Sequence, residues 1–299
     1  MILVLLGCMA GFALVYWFTV RTVPGRILDD TALRGADLGS TRASANVESV
    51  LDVITVTSMA AAVALVSVIA LLRMRRSLGV AAVGLLVVTS VVSRILKSYL
   101  IPRPDLGLSE ATPATLNSLP SGHATAAFSI GVALLFVVPA ALRRATAAAA
   151  LAFSCAVAIA TMSAGWHRAG DSLASFLLVT GCAAFIAVLV LMADGEADEQ
   201  ADAVATTPRT RVGCWGVLLL GGALLVVGVL VLLLAASPTV RGSALGPPVA
   251  FVAASLLIIV VAAACTLIVL GIVERISPAA PTAQPPIPQP DEHVSPPGP

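Results

Sequence analysis

Eight apolar stretches, each close to the ~20 residues that cross a bilayer as a helix, dominate this chain of 299 residues. They run over residues 1–20, 47–72, 79–100, 121–142, 145–165, 171–192, 212–236 and 247–273. A backbone surrounded by hydrocarbon must satisfy its own hydrogen bonds, so such stretches fold as helices. Hydrophobic residues make up 59% of the chain and charged residues 11%, far from the balance of a soluble domain. The expected fold class is all-α, a polytopic transmembrane helical bundle. A net charge of +1 gives a nucleic-acid partner no electrostatic support.

The segments between the stretches set the expected organisation. Residues 1–193 form a six-helix core, 194–211 a cytoplasmic linker, 212–273 an additional helix pair, and 274–299 a Pro-rich disordered tail. Residues 1–20 lack the charged start and cleavage site of a secretory signal, so they read as a first membrane helix. Residues 21–46 are polar, with Pro24-Gly25 and Gly35 as turn punctuation, and read as a loop. Cys8, Cys155, Cys182, Cys214 and Cys265 lie in or beside apolar runs without a C-x-x-C pair, which suits small buried residues. Arg73, Arg75 and Arg76 flank one tight turn and Arg143-Arg144 another, so both turns are expected in the cytoplasm. Arg21, Arg26, Arg34 and Arg42 in the first loop pull the other way. One lysine among sixteen arginines, with Ala and Val in excess, suggests a GC-rich bacterial genome. The expected location is therefore the bacterial cytoplasmic membrane, with both chain ends inside.

Helix parity then brings three polar stretches to one membrane face, opposite the arginine turns. They are Lys97-Ser98-Tyr99-Leu100-Ile101-Pro102-Arg103-Pro104, Pro120-Ser121-Gly122-His123, and Gly165-Trp166-His167-Arg168-Ala169-Gly170-Asp171. Ser121 and Gly122 open a helix whose N-terminal amides suit an anion, though the same residues suit an ordinary capped helix. Lys97 and Arg103 add positive charge, or in Lys97's case snorkel to the interface. His167 and Asp171 stand four apart, a spacing that lets the carboxylate fix the ring's tautomer. Asp171 also suits a plain N-cap, and His167 a plain interfacial histidine. Two histidines beside a cationic pocket suit phosphoryl transfer, one as nucleophile and one as acid. No metal-ligand spacing and no P-loop appears, so no cofactor and no metal is expected.

This pattern resembles the type 2 phosphatidic acid phosphatase superfamily, the integral-membrane lipid phosphatases related in fold to vanadium haloperoxidases. Its motifs run Lys, six residues, Arg-Pro; Pro-Ser-Gly-His; and Ser-Arg, five residues, His, three residues, Asp. The second is complete at Pro120 to His123, and His167 and Asp171 match the end of the third. The resemblance covers roughly residues 51–192. It implies that His167 is the nucleophile, Asp171 its orienting partner and His123 the general acid, with Lys97, Arg103, Ser121 and Gly122 binding phosphate. Two departures stand out. Lys97 and Arg103 are separated by five residues, and the Ser-Arg pair falls on Ala160 and Thr161. Arg168 and Arg94 are the candidates to supply the missing charge.

The resemblance implies a membrane phosphatase acting outside the cytoplasm on a polyprenyl phosphate or diphosphate, phosphatidate or phosphatidylglycerol phosphate. Its partners would be this lipid phosphate and the surrounding membrane lipids. Transfer of the phosphoryl group to another acceptor uses the same histidines. The alternative is a non-catalytic lipid-phosphate binder or envelope assembly protein, which would have no use for His167 and Asp171 together. Oligomeric state leaves no mark on the sequence.

Overall fold

A computed structural model of the chain describes residues 1–36, 56–73, 76–108, 117–195, 230 and 237–277. The regular elements among them are helical: α1 (Ile2–Arg21), α2 (Val23–Ala36), α3 (Val56–Leu72), α4 (Arg76–Ile95) and a π-turn (Leu96–Leu100). There follow α5 (Gly122–Val137), a 3-10 turn (Ala140–Leu142), α6 (Arg143–Ser163), α7 (Ala169–Gly195), the single turn α8 (Pro238–Arg241) and α9 (Gly246–Ile276). The all-α polytopic bundle expected from the apolar stretches is therefore the fold. α1, α4 with its π-turn, α6 with the preceding turn, α7 and α9 are each long and apolar enough to cross a membrane. Nearly all of the seventh apolar stretch, of the linker and of the Pro-rich tail lies outside the described residues.

α5 is the axis of the bundle. It has only sixteen residues, but eleven are buried, and α4, α6 and α7 pack around it. Contact between helices in lipid depends on close van der Waals approach, which small residues permit. A Cβ on Gly131 of α5 would stand 2.4 Å from the Cβ of Ala150 on α6. Phe128 and Phe176 close the α5–α7 seam edge to face, with ring centres 5.1 Å apart. α9 joins the same bundle, burying Ala250, Ala254, Ile258, Cys265, Val269 and Ile272 along one stripe against its neighbours.

Residues 23–36 do not form the loop that their turn residues suggest, because α2 occupies them, and residues 37–46 lie outside the described residues. Pro24 sits in the first turn of α2, where a helix has no use for the missing N–H, so it starts this helix and does not break it. α2 packs closely along α9: a Cβ on Gly35 would meet the carbonyl of Pro247 at 2.0 Å.

Arginines tie one end of the bundle together. Arg143 donates from Nη1 to Ser277 O (2.6 Å) and from Nη2 to Ser277 Oγ (2.8 Å), which fixes the end of α9 to the start of α6. Arg73 donates to Val137 O (2.5 Å), satisfying a carbonyl in the last turn of α5. The histidines lie at the other ends of α5 and α6.

Candidate active site

Backbone and side-chain bonds at that far end bring the three polar stretches together. Ser121 is the N-cap of α5, and its Oγ accepts from Ala124 N at 3.3 Å. Its own N–H donates to Asp171 O (3.1 Å), and Ser175 Oγ lies 2.9 Å from both Ser121 O and Asp171 O. The Pro-Ser-Gly-His segment is thus laid against the first turn of α7. Asn117 connects it to the first stretch. Its Nδ2 lies 3.2 Å from Lys97 O, 2.8 Å from Ile101 O and 3.1 Å from Leu119 O, while its Oδ1 accepts from Leu119 N. A cis peptide joins Leu119 to Pro120.

The turn between α6 and α7 carries the second histidine. Thr161 O accepts from both Trp166 N (3.0 Å) and His167 N (3.2 Å), and Gly165 takes φ +73°, a conformation in which a side chain would be strained. The reversal leaves His167 two residues ahead of α7 and Asp171 in the helix's first turn. His167 Nδ1 lies 3.3 Å from Asp171 Oδ2, and the same oxygen accepts from Arg168 N at 2.9 Å. Both side chains are buried. With Nδ1 held as the donor, Nε2 is left as the basic nitrogen. His123 stands across the gap, its ring centre 6.0 Å from that of His167 and 5.5 Å from that of Trp166. His123 is half-buried, and a Cβ on its neighbour Gly122 would meet nothing within 4 Å. The floor of the site is therefore packed, and among the described residues nothing covers Gly122 at the N-terminus of α5.

The cationic residues are distributed unevenly. Arg103 is half-buried. Lys97 sits half-buried on the π-turn, with its backbone drawn in by Asn117. Thr161 stands at the arginine position of the third motif, and its Oγ1 donates within its own helix to Ala158 O (2.9 Å). Of the two candidates to replace that charge, Arg94 is exposed on α4. Arg168 is buried, with Nη2 3.7 Å from Asp30 Oδ1 on α2. Its backbone serves Asp171 and its charge meets a carboxylate.

α2 brings residues that the sequence reading did not place here. Arg26 is fully buried and donates from Nε to Val20 O (3.0 Å) and from Nη2 to Pro104 O. Asp29 is buried, and its Oδ1 accepts from Gly170 N at 3.1 Å. Burial pushes the Asp29 carboxyl up to about 7, with the Asp171 charge adding to the rise. The Gly170 hydrogen bond and the charges of Arg168 and Arg103 oppose that rise. A Cβ on Gly170 would come within 2.9 Å of both Asp29 and Thr19, so a side chain there would push α2 away. The signal was available in the sequence: Arg26, Asp29 and Asp30 fall at i, i+3 and i+4, the spacing of one helix face. Reading Pro24-Gly25 as a turn hid it.

Residues 77–194 match the family model of the PAP2 superfamily. This segment belongs to that superfamily, as the resemblance in the motifs implied. The match runs from α4 through α7 and takes in every residue of the three polar stretches. No curated protein and no solved structure matches the chain. The superfamily generally comprises phosphatases, and the chain that carries this segment is a multi-pass membrane protein.

Proposed function

We propose that the protein hydrolyses a lipid phosphate or diphosphate at the extracytoplasmic face of a bacterial membrane, through a phosphohistidine formed on His167. The observation that carries this reading is the pairing of His167 with Asp171, with the ring of His123 facing it at 6.0 Å. Asp171 fixes the tautomer, and Nε2 of His167 attacks phosphorus. The P–O bond to the lipid breaks, and His123, as imidazolium, gives its proton to the departing oxygen. His123 then takes a proton from water, which attacks the phosphohistidine, breaks the P–N bond and releases inorganic phosphate. Gly122 and Ser121 at the start of α5, together with Lys97 and Arg103, hold the equatorial oxygens. Arg168 supports the nucleophile's turn with its charge balanced by Asp30.

In-line transfer needs roughly 3 Å on each side of the phosphoryl group, so the two rings must splay as substrate enters. His123 is the more exposed of the two rings. The apolar belt of the bundle keeps a lipid tail in the bilayer and its head group at the interface. Polyprenyl, phosphatidate and phosphatidylglycerol phosphate head groups all meet these requirements. The residues named require no metal.

The test is the purified full chain in detergent, offered a panel of these lipids with a chelator present. Phosphate release should survive the chelator and vanish in His167→Ala. Acid-labile, base-stable label from a 32P-lipid should appear on the wild type and be absent from that variant. Undiminished turnover by His167→Ala would remove the nucleophile assignment. A non-catalytic lipid-phosphate binder would hold the lipid and release nothing.

A further inference from the structure

Asn117 joins the first polar stretch to the second, and Ser121 and Ser175 join the second to the third. The first and third carry Arg103 and His167, and their spacing decides whether a phosphate held by one meets the nucleophile on the other. α2 touches both. Arg26 donates to the carbonyl of Pro104, the residue after Arg103, while its Nε holds Val20 O at the end of α1. One turn along the same face, Asp29 accepts from Gly170 N, and Asp30 faces the guanidinium of Arg168, the residue after His167. Asp30 also takes Arg34 Nε at 2.8 Å, an i,i+4 pair that holds its carboxylate in place.

Arg26, Asp29 and Asp30 are all buried. Burying charge in this way is a poor means of gaining stability, because desolvation offsets most of the attraction. What it provides is directional contact at two places on one rigid helix, 14 residues long. α2 lies outside residues 77–194, the segment matched by the superfamily. It meets the site at Pro104, Gly170 and Arg168.

We propose that α2 is a strut of the active site, in which Arg26, Asp29 and Asp30 are positioning residues that set the distance between the Arg103 loop and the His167 turn. The proposal rests on the phosphatase reading for its catalytic consequence and on the contacts above for its geometry. None of the three touches the reacting atoms. They act through Pro104, Gly170 and Arg168. Loss of the strut lets the two loops drift apart, so bound lipid phosphate lies off line and kcat falls while binding is largely kept.

The test uses the full chain in detergent with the lipid phosphate that the wild type hydrolyses fastest. Arg26→Lys keeps the charge but has a single head that cannot span Val20 O and Pro104 O, and Asp29→Ala removes the acceptor of Gly170 N. Each should lower kcat at least tenfold with KM within about threefold. Asp29→Asn keeps an acceptor oxygen for Gly170 and should recover at least half of wild-type kcat at pH 7. Unchanged kcat in both Arg26→Lys and Asp29→Ala would overturn the strut, as would a loss that Asp29→Asn fails to reverse. Hydrogen exchange on the same proteins judges the geometry without any substrate. Asp29→Ala should raise exchange in residues 101–108 as well as in 165–172, and a rise confined to 165–172 would overturn the proposal. If the wild type releases phosphate from none of the lipids, the phosphatase reading fails, and the exchange result still decides whether α2 links the loops.

Discussion

Replacing Asp171 by asparagine separates the charge of this carboxylate from its structural role. Asp171 Oδ2 serves two donors at once, His167 Nδ1 at 3.3 Å and Arg168 N at 2.9 Å. An asparagine has one oxygen and one NH2, and its oxygen can take the Oδ2 place and keep both donors, so the ring keeps its tautomer. What is lost is the negative charge facing Nδ1–H, which matters most when attack on phosphorus makes the ring cationic. A hydrogen bond to a charged group is worth about 1–2 kcal/mol more than a neutral one, so the expected loss is about 10–30-fold in kcat. Only an exchange that also reversed the tautomer would cost on the order of 10⁴. The stability cost is about 1–3 kcal/mol for one imperfectly matched buried group. The assay is phosphate release from a lipid phosphate, run beside thermal unfolding in the same detergent. A variant that melts within several degrees of the wild type and turns over about 10–30-fold more slowly supports the role of the charge. Activity within about threefold of the wild type would refute it, because the ring would then attack phosphorus without an anion behind it.

Other outcomes follow from particular contacts. Asp29, with its carboxyl raised from 3.8 to about 7, holds its proton in the folded state over a range where the unfolded chain has lost it. Stability should therefore fall as pH rises from about 4 to about 7 and then level off, by at most roughly 4 kcal/mol. Asp29→Asn should flatten that slope in urea or thermal unfolding, and an unaltered slope would put the ionisation elsewhere. Gly131→Val should destabilise the bundle by about 1–3 kcal/mol or more, since its Cβ would stand 2.4 Å from that of Ala150. An unchanged melting temperature would deny the close approach of α5 and α6. Asn117→Ala removes the side chain that gathers Lys97 O, Ile101 O and Leu119 O. Its effect should be a severalfold rise in KM, checked by steady-state kinetics on the same lipid.

Much of this protein was legible in its amino-acid order. Length and hydropathy determine membrane-crossing helices, because a backbone in hydrocarbon has no other way to satisfy itself. Counting those helices puts Lys97 to Pro104, Pro120 to His123 and His167 to Asp171 at one end of the bundle, and the four-residue step from His167 to Asp171 makes their contact local. Residues 23–36 show where such reading ends. The face formed by Arg26, Asp29 and Asp30 has a helical period, but nothing in the order of residues says that Pro104, Gly170 and Arg168 lie against it. In the same way nothing in the order of residues says that the guanidinium of Arg168 lies 3.7 Å from Asp30. Local periodicity determines which residues share a face. The partner of a buried charge is decided by elements distant in sequence, through desolvation and packing that exist only once the helices have come together.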